Sequence, residues 1–249
     1  MWGGTDIHVG LYRSDDDDIA EASRRTVERM ADKLELTADT DIIDIGAGYG
    51  GSARFLARTY GCKVTCLNLS EVENERNREM NREAGLDHLI TVVDGSFEDI
   101  PVQDNGFDVV WSQDALLHSG DRGRVLEEVM RVMRTGGHFV FTDPMATDNA
   151  SPEALRPILD RLHLDTMGTP GFYDREAKRL GLNKVEFDDL SPQLPAHYGR
   201  VLAETESREH ELEGKISKEY LERMKTGLRN WVNGGKSGDL AWGILHYRG

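Results

Sequence analysis

The run Asp41-Ile42-Ile43-Asp44-Ile45-Gly46-Ala47-Gly48-Tyr49-Gly50-Gly51 sets a short apolar segment directly against a glycine-rich turn, and Ser52 to Thr59 continues it as a helix. Gly46, Gly48 and Gly51 have the G-x-G-x-x-G spacing. A buried strand, a tight glycine turn and a helix N-terminus form the opening unit of a nucleotide-binding α/β sheet, because glycine lets the backbone turn sharply and approach a ligand closely. Alone, the motif does not separate dinucleotides from other adenosine cofactors.

Upstream, Val27, Met30, Ala31 and Leu34 recur at helical spacing, which predicts an amphipathic helix over 19–35. Downstream, strands are predicted at Lys63 to Leu67, Leu89 to Val93, Phe107 to Trp111 and His138 to Thr142. Ser70 with Glu73 reads as a capping box opening a polar helix. Val125, Val129, Val132 and Met133 predict a helix ending at Gly136-Gly137. Strands alternating with helices imply a parallel sheet covered on both faces.

After residue 143 the alternation breaks. Ser151-Pro152 and Thr169-Pro170 each start a helix, the second ending near Gly181, and Val185 to Phe187 reads as a sixth strand. A charged, helical stretch runs from Ser191 to Gly238, with Ile216, Tyr220, Met224, Leu228 and Trp231 on one helix face, and Leu240 to Tyr247 reads as a last strand. Segments 144–169 and 190–238, inserted after strands 5 and 6, are expected to form a helical cap over the carboxyl edge of the sheet. The chain thus divides into a cofactor-binding core over 19–143, a cap with strand 6 over 144–238, and a last strand over 239–249, within a single α/β domain.

The chain has 249 residues, 45 of them acidic and 30 basic, for a net charge of −15. That balance argues against nucleic acid, which needs clustered Lys and Arg, and against an anionic membrane surface. No apolar run approaches the roughly 20 residues of a membrane span, and Met1-Trp2-Gly3-Gly4 lacks the features of a signal peptide. Cys62 and Cys66 read as core thiols, with no disulfide framework and no metal site. A cytoplasmic enzyme is expected.

The residues around the turn choose the cofactor. Asp44 suits the ammonium of a methionine moiety and would repel a pyrophosphate. At the end of the second strand, where ribose would lie, Asn68-Leu69 stands in place of the usual acidic residue; Asn68 can both accept and donate. Asp94-Gly95-Ser96-Phe97 ends the third strand, with Asp94 placed to accept from an adenine amino group and Phe97 near the ring. With Gly46-Ala47-Gly48 and Gln113 these form the expected site for S-adenosylmethionine, which leaves as S-adenosylhomocysteine. The motifs Asp44 to Gly50 and Arg134-Thr135-Gly136-Gly137 resemble those of the class I S-adenosylmethionine-dependent methyltransferases. That resemblance implies a Rossmann-like seven-stranded sheet with a reversed last strand.

The fourth strand runs into Ser112-Gln113-Asp114-Ala115-Leu116-Leu117-His118. If a helical turn follows, Asp114 and His118 share one face, and a histidine beside a carboxylate can handle a proton. This stretch is similar to one in the phosphoethanolamine methyltransferases, which implies that Asp114 and His118 work with Tyr12 and that residues 1–18 form a lid. The full chain resembles the sarcosine and dimethylglycine N-methyltransferases through His8 to Tyr12, Leu67 to Arg78, Arg161 to Asp165, Thr169 to Tyr173, Leu194 to Arg200 and Ala241 to Gly243. The implied reaction makes glycine betaine by direct in-line methyl transfer.

An amino-acid substrate needs a donor for its carboxylate. Arg161, His163, Arg200 and His246 are candidates. Arg161 and His163 come first on the resemblance to the phosphobase enzymes, then Arg200 beside His197 and Tyr198. The quaternary product can rest on aromatic faces, for which Tyr12, Trp111, Tyr198 and Trp242 are available. The rival readings are methylation of another small amine such as phosphoethanolamine, an NAD-dependent oxidoreductase, and a non-catalytic adenosylmethionine-binding protein.

Overall fold

The computed structural model describes residues 8–14, 16–212 and 215–249. Its helices are α1 Ile19–Ala31, α2 Gly51–Tyr60, α3 Glu71–Glu83, α4 Arg122–Val132, α5 Pro152–Leu162, α6 Pro170–Arg179, α7 Gln193–Ser207, α8 Glu209–Leu212 and α9 Lys218–Ser237. Its strands are β1 Asp41–Ile45, β2 Lys63–Asn68, β3 Ile90–Asp94, β4 Phe107–Gln113, β5 Met133–Thr142, β6 Met145–Ala146, β7 Asn183–Asp189, β8 Leu240–Ala241 and β9 Gly243–Arg248. Two compact units divide the chain.

The larger unit comprises Val27–Asp143, Gly171–Asp188 and Gly243–Gly249. It holds a seven-stranded sheet in the order β3-β2-β1-β4-β5-β9-β7. The first five strands are parallel, and β9 runs antiparallel to β5 with Ile244 opposite Thr142. This is the seven-stranded fold with a reversed last strand. β1 is an inner strand and is almost wholly buried, with Asp44 opposite Cys66 on one side and Trp111 on the other. The reversal of strand order on either side of β1 opens a crevice at the carboxyl ends, where the glycine turn lies.

The other unit comprises the described residues up to Thr26, with Pro144–Pro170 and Asp189–Trp242. It is mainly helical, with β6 and β8 pairing as a two-stranded ribbon. Ile19, Val201 and Leu228 form a buried cluster here, with Tyr198, Leu202 and Met224 against it. Segment Gly171–Asp188, which carries α6 and β7 between the two inserted segments, groups with the sheet.

Local expectations shift in three places. The α4 helix stops at Val132 rather than at the Gly-Gly pair. β5 already begins at Met133, and its register against β4 jumps from Met133 to His138. At this bulge the Arg134 guanidinium is held by Asp41 at 2.9 Å and Asp108 at 2.7 Å, near the starts of two neighbouring strands. On α9 the buried face carries Leu221, Leu228 and Trp231, while Tyr220 is half exposed. The expected last strand is split at Trp242 into β8 and β9. Among the described residues, no helix is long and apolar enough to cross a membrane.

Candidate active site

The glycine turn follows β1 directly. Gly46 and Ala47 donate their N–H groups to the Leu67 carbonyl at 2.8 and 3.0 Å, which folds the turn back onto β2. Gly46 has φ +84°, and a Cβ there would meet Ala115 Cβ at 2.4 Å, so only glycine fits. Ala115 belongs to the loop after β4, so the close approach joins the cofactor turn to the loop carrying Asp114 and His118.

Gln113 ends β4 and is 4% exposed. Its carbonyl accepts from Ser52 Oγ and from Trp111 Nε1. Its amide nitrogen is buried with no hydrogen-bond partner. A buried donor without an acceptor is costly, which marks this atom as aimed at a ligand. At β2 and β3, the Asn68 amide donates to Glu73 Oε2 at 2.9 Å. The Asp94 carboxylate accepts from Asn74 at 2.8 Å and Arg78 at 2.5 Å. Those bonds hold Asp94 below the usual carboxylate range. Leu69 is 75% exposed beside Asn68, an apolar face open to a flat ring.

The loop after β4 departs from the expected helical turn. Asp114 has φ +51°, in the left-handed region, and the helix that follows is a single 3-10 turn, Leu116–His118. Asp114 therefore lies outside the turn, and the shared i, i+4 face with His118 is not formed. The His118 pKa is lowered by desolvation first and then by the Arg122 charge. His118 is accordingly a neutral imidazole at pH 7.

In the helical unit, Tyr12 and His197 meet: the Tyr12 hydroxyl lies 3.0 Å from His197 Nδ1. Gly10 N–H donates to the same Nδ1 at 3.2 Å. Gln193 fastens the segment further, accepting from Tyr12 N–H at 2.8 Å and donating to Tyr12 C=O at 3.2 Å. Desolvation raises the Tyr12 pKa, and the Arg200 charge partly offsets this, ahead of Asp18 and Asp17. Tyr12 thus bonds His197 and feels the Arg200 charge.

The methyltransferase-domain family matches residues 43–141. A sarcosine/dimethylglycine N-methyltransferase of Halorhodospira halochloris is 59% identical over 249 residues, covering all of this chain and 89% of that one. The chain belongs to the sarcosine/dimethylglycine N-methyltransferase family. A glycine/sarcosine/dimethylglycine N-methyltransferase of Actinopolyspora halophila is 66% identical over 248 residues, but this chain spans only 44% of its length. A crystal structure from Galdieria sulphuraria, proposed to be a sarcosine dimethylglycine methyltransferase, superimposes with a TM-score of 0.95 at 45% identity, covering 99% of this chain and 93% of that one.

Within this methyltransferase, several candidate substrate residues lie elsewhere than expected. Arg161 and His163 are exposed and line a groove between α5 and α9. The Arg161 side chain lies over Gly227 and donates to the Arg223 carbonyl at 3.2 Å. The Arg200 charge acts on Tyr12. Trp242 and Trp111 are fully buried, so neither presents an aromatic face. Tyr198 stacks on Trp231 at 4.9 Å, largely as core. His246, on β9 opposite Val140 of β5, bonds His138 at 2.7 Å.

Two residues escaped the sequence reading. The capping-box pattern gave Glu73 to the helix end; Ser70 Oγ does accept from Glu73 N–H at 3.4 Å. The Glu73 carboxylate instead reaches Asn68, which restores an acidic group to the end of β2. Gln193 carried no signal, because its partner lies 181 residues away.

Proposed function

We propose that the protein transfers methyl groups from S-adenosylmethionine to the nitrogen of sarcosine and N,N-dimethylglycine, with glycine betaine as the end product. The likeness to relatives so named carries this reading, because it runs the length of the chain and includes the helical unit. S-adenosylmethionine fits the turn after β1. The orphan Gln113 amide and Asp44 suit its charged methionine end, Asn68 and Glu73 its ribose, and Leu69, Asp94 and Phe97 its adenine. Bound there, it supplies an electrophilic methyl group on a sulfonium.

The residues of this chain have to deliver a neutral amine. For an amine with a pKa near ~10.4, neutrality at pH 7 costs about 4–5 kcal/mol. His118, kept neutral by burial and Arg122, is the proton acceptor. The Tyr12 phenol, with a raised pKa, orients the substrate and stays protonated. Arg200 takes the carboxylate. In-line placement of nitrogen and methyl contributes roughly 7–11 kcal/mol without a covalent intermediate. The setting is a cytoplasmic enzyme acting on small molecules.

Initial rates with S-adenosylmethionine and glycine, sarcosine, dimethylglycine or phosphoethanolamine test the assignment. Conversion of dimethylglycine to betaine is the expected outcome. If no amine is methylated while S-adenosylhomocysteine binds tightly, the cofactor reading stands and the substrate reading falls.

A further inference from the structure

Asp143 follows β5 directly, is wholly buried, and plays no part in the chemistry above. Its Oδ1 accepts from Leu117 N–H at 2.8 Å and its Oδ2 from the Tyr173 hydroxyl at 2.7 Å. Arg122, on α4, donates from Nη2 to the Leu117 carbonyl at 2.8 Å. Both ends of residue 117 are therefore gripped by side chains, and residue 118 is the histidine. Beyond it, Glu98 accepts from Gly120 N–H at 3.0 Å and Asp121 N–H at 3.2 Å, and also from Ser119 Oγ. A lone 3-10 turn has poor internal hydrogen bonding and does not hold its own shape. Here it is clamped before and after His118, and His118 is the residue between the clamps.

Both oxygens of the buried Asp143 carboxyl are satisfied by these donors, and an apolar residue in its place would leave the buried Leu117 N–H and Tyr173 hydroxyl without that acceptor. We propose that Asp143, with Arg122, is a positioning residue that fixes the His118 imidazole for proton transfer during methylation. This rests on the reading of His118 as proton acceptor. The groups facing Asp143 are Asp114 after β4, Arg122 on α4 and Tyr173 on α6. Desolvation dominates and pushes its pKa up to about 7, with Asp114 adding and the two hydrogen bonds and Arg122 opposing. Burial thus draws the Asp143 ionisation toward neutral pH, beside the turn it holds.

The test uses the intact enzyme with sarcosine, S-adenosylmethionine and an independent measurement of S-adenosylhomocysteine binding. Asp143→Ala is expected to lower kcat tenfold or more while leaving the S-adenosylhomocysteine Kd within twofold. Asp143→Asn keeps an acceptor for Leu117 N–H and a polar contact for Tyr173; it should restore most of that loss and remove one ionisation from the acid limb of the pH–rate profile. Should the alanine variant not fold, that altered profile in the asparagine variant decides the matter, and an unaltered one overturns the proposal. In a His118→Asn background, Asp143→Ala should lower the residual rate less than twofold. An equal loss with and without His118 overturns the positioning role but leaves His118 as acceptor. Full turnover by His118→Asn alone overturns the acceptor reading, and this proposal with it.

Discussion

Nδ1 of His197 receives two hydrogen bonds, from Gly10 N–H at 3.2 Å and from the Tyr12 hydroxyl at 3.0 Å. A backbone N–H can only donate, so Nδ1 carries no proton and the ring is the Nε2–H tautomer. Burial, and to a lesser extent His8, push the His197 pKa down to about 3, so it stays neutral. The Tyr12 hydroxyl must then donate to it. A phenol already donating, with its pKa raised, is a poor base. Tyr12→Phe should accordingly raise the sarcosine KM by about 2- to 10-fold, the worth of one hydrogen bond, with kcat and the acid limb of its pH profile little changed. Loss of turnover by two orders of magnitude would return Tyr12 to the proton path.

The same segment supplies a second test. Gln193 makes two hydrogen bonds to the Tyr12 backbone, and Thr26 Oγ1 and Ser23 Oγ donate to the carbonyls of Val9 and His8. Gln193→Ala removes the two nearest the tyrosine while leaving the α1 contacts. Limited proteolysis should show faster cleavage near residues 10–14, and the sarcosine KM should rise by about tenfold for about 1.4 kcal/mol lost. Unchanged cleavage and KM would show that the α1 contacts suffice.

What the sequence made legible follows the range of the interactions. The strand, turn and helix from Asp41 to Tyr60 were readable because each is set by neighbours in the chain: an apolar run, glycines and a helix start. Asp114 shows where this ends. Its spacing to His118 matched a helix face, but Asp114 has a left-handed backbone and the turn begins only at Leu116. Arg161 and Arg200 were alike as isolated arginines. Tertiary contact separates them, since Arg161 rests on Gly227 at an exposed groove while the Arg200 charge acts on Tyr12. Gln193 and Asp143 owe their roles wholly to partners distant in sequence.

The cofactor site turns on Gln113. Gln113→Glu retains oxygens for Ser52 Oγ and Trp111 Nε1 but replaces the orphan donor with an acceptor. Binding of S-adenosylhomocysteine, measured by calorimetry, should weaken by about 10- to 100-fold, since an unmet or repelled buried partner costs about 1–3 kcal/mol. An unchanged affinity would mean that the amide faces another occupant.

The His138–His246 pair should make stability sensitive to acid. Nδ1 of His138 and Nε2 of His246 lie 2.7 Å apart, a contact that requires one of the two nitrogens to be unprotonated. Desolvation first, then the His138 and Lys33 charges, push the His246 pKa down to about 4, and His138 is lowered as well by desolvation and Arg248. Both folded-state values lie below the ordinary 6.5. The contribution is therefore complete above about pH 6.5 and is lost as pH falls towards about 4, because the unfolded chain takes up protons that the folded chain refuses. Asp143 acts in the opposite direction: its raised pKa favours the fold at low pH and loses that benefit as pH rises towards about 7. His246→Phe removes only the first effect. At about pH 7.5 the variant should melt below the parent by about 2–4 °C for each kcal/mol lost. At about pH 5 the gap should narrow or reverse, since the parent alone must keep a neutral imidazole pair. A gap constant across that range would show that the two rings accept protons freely in the folded chain.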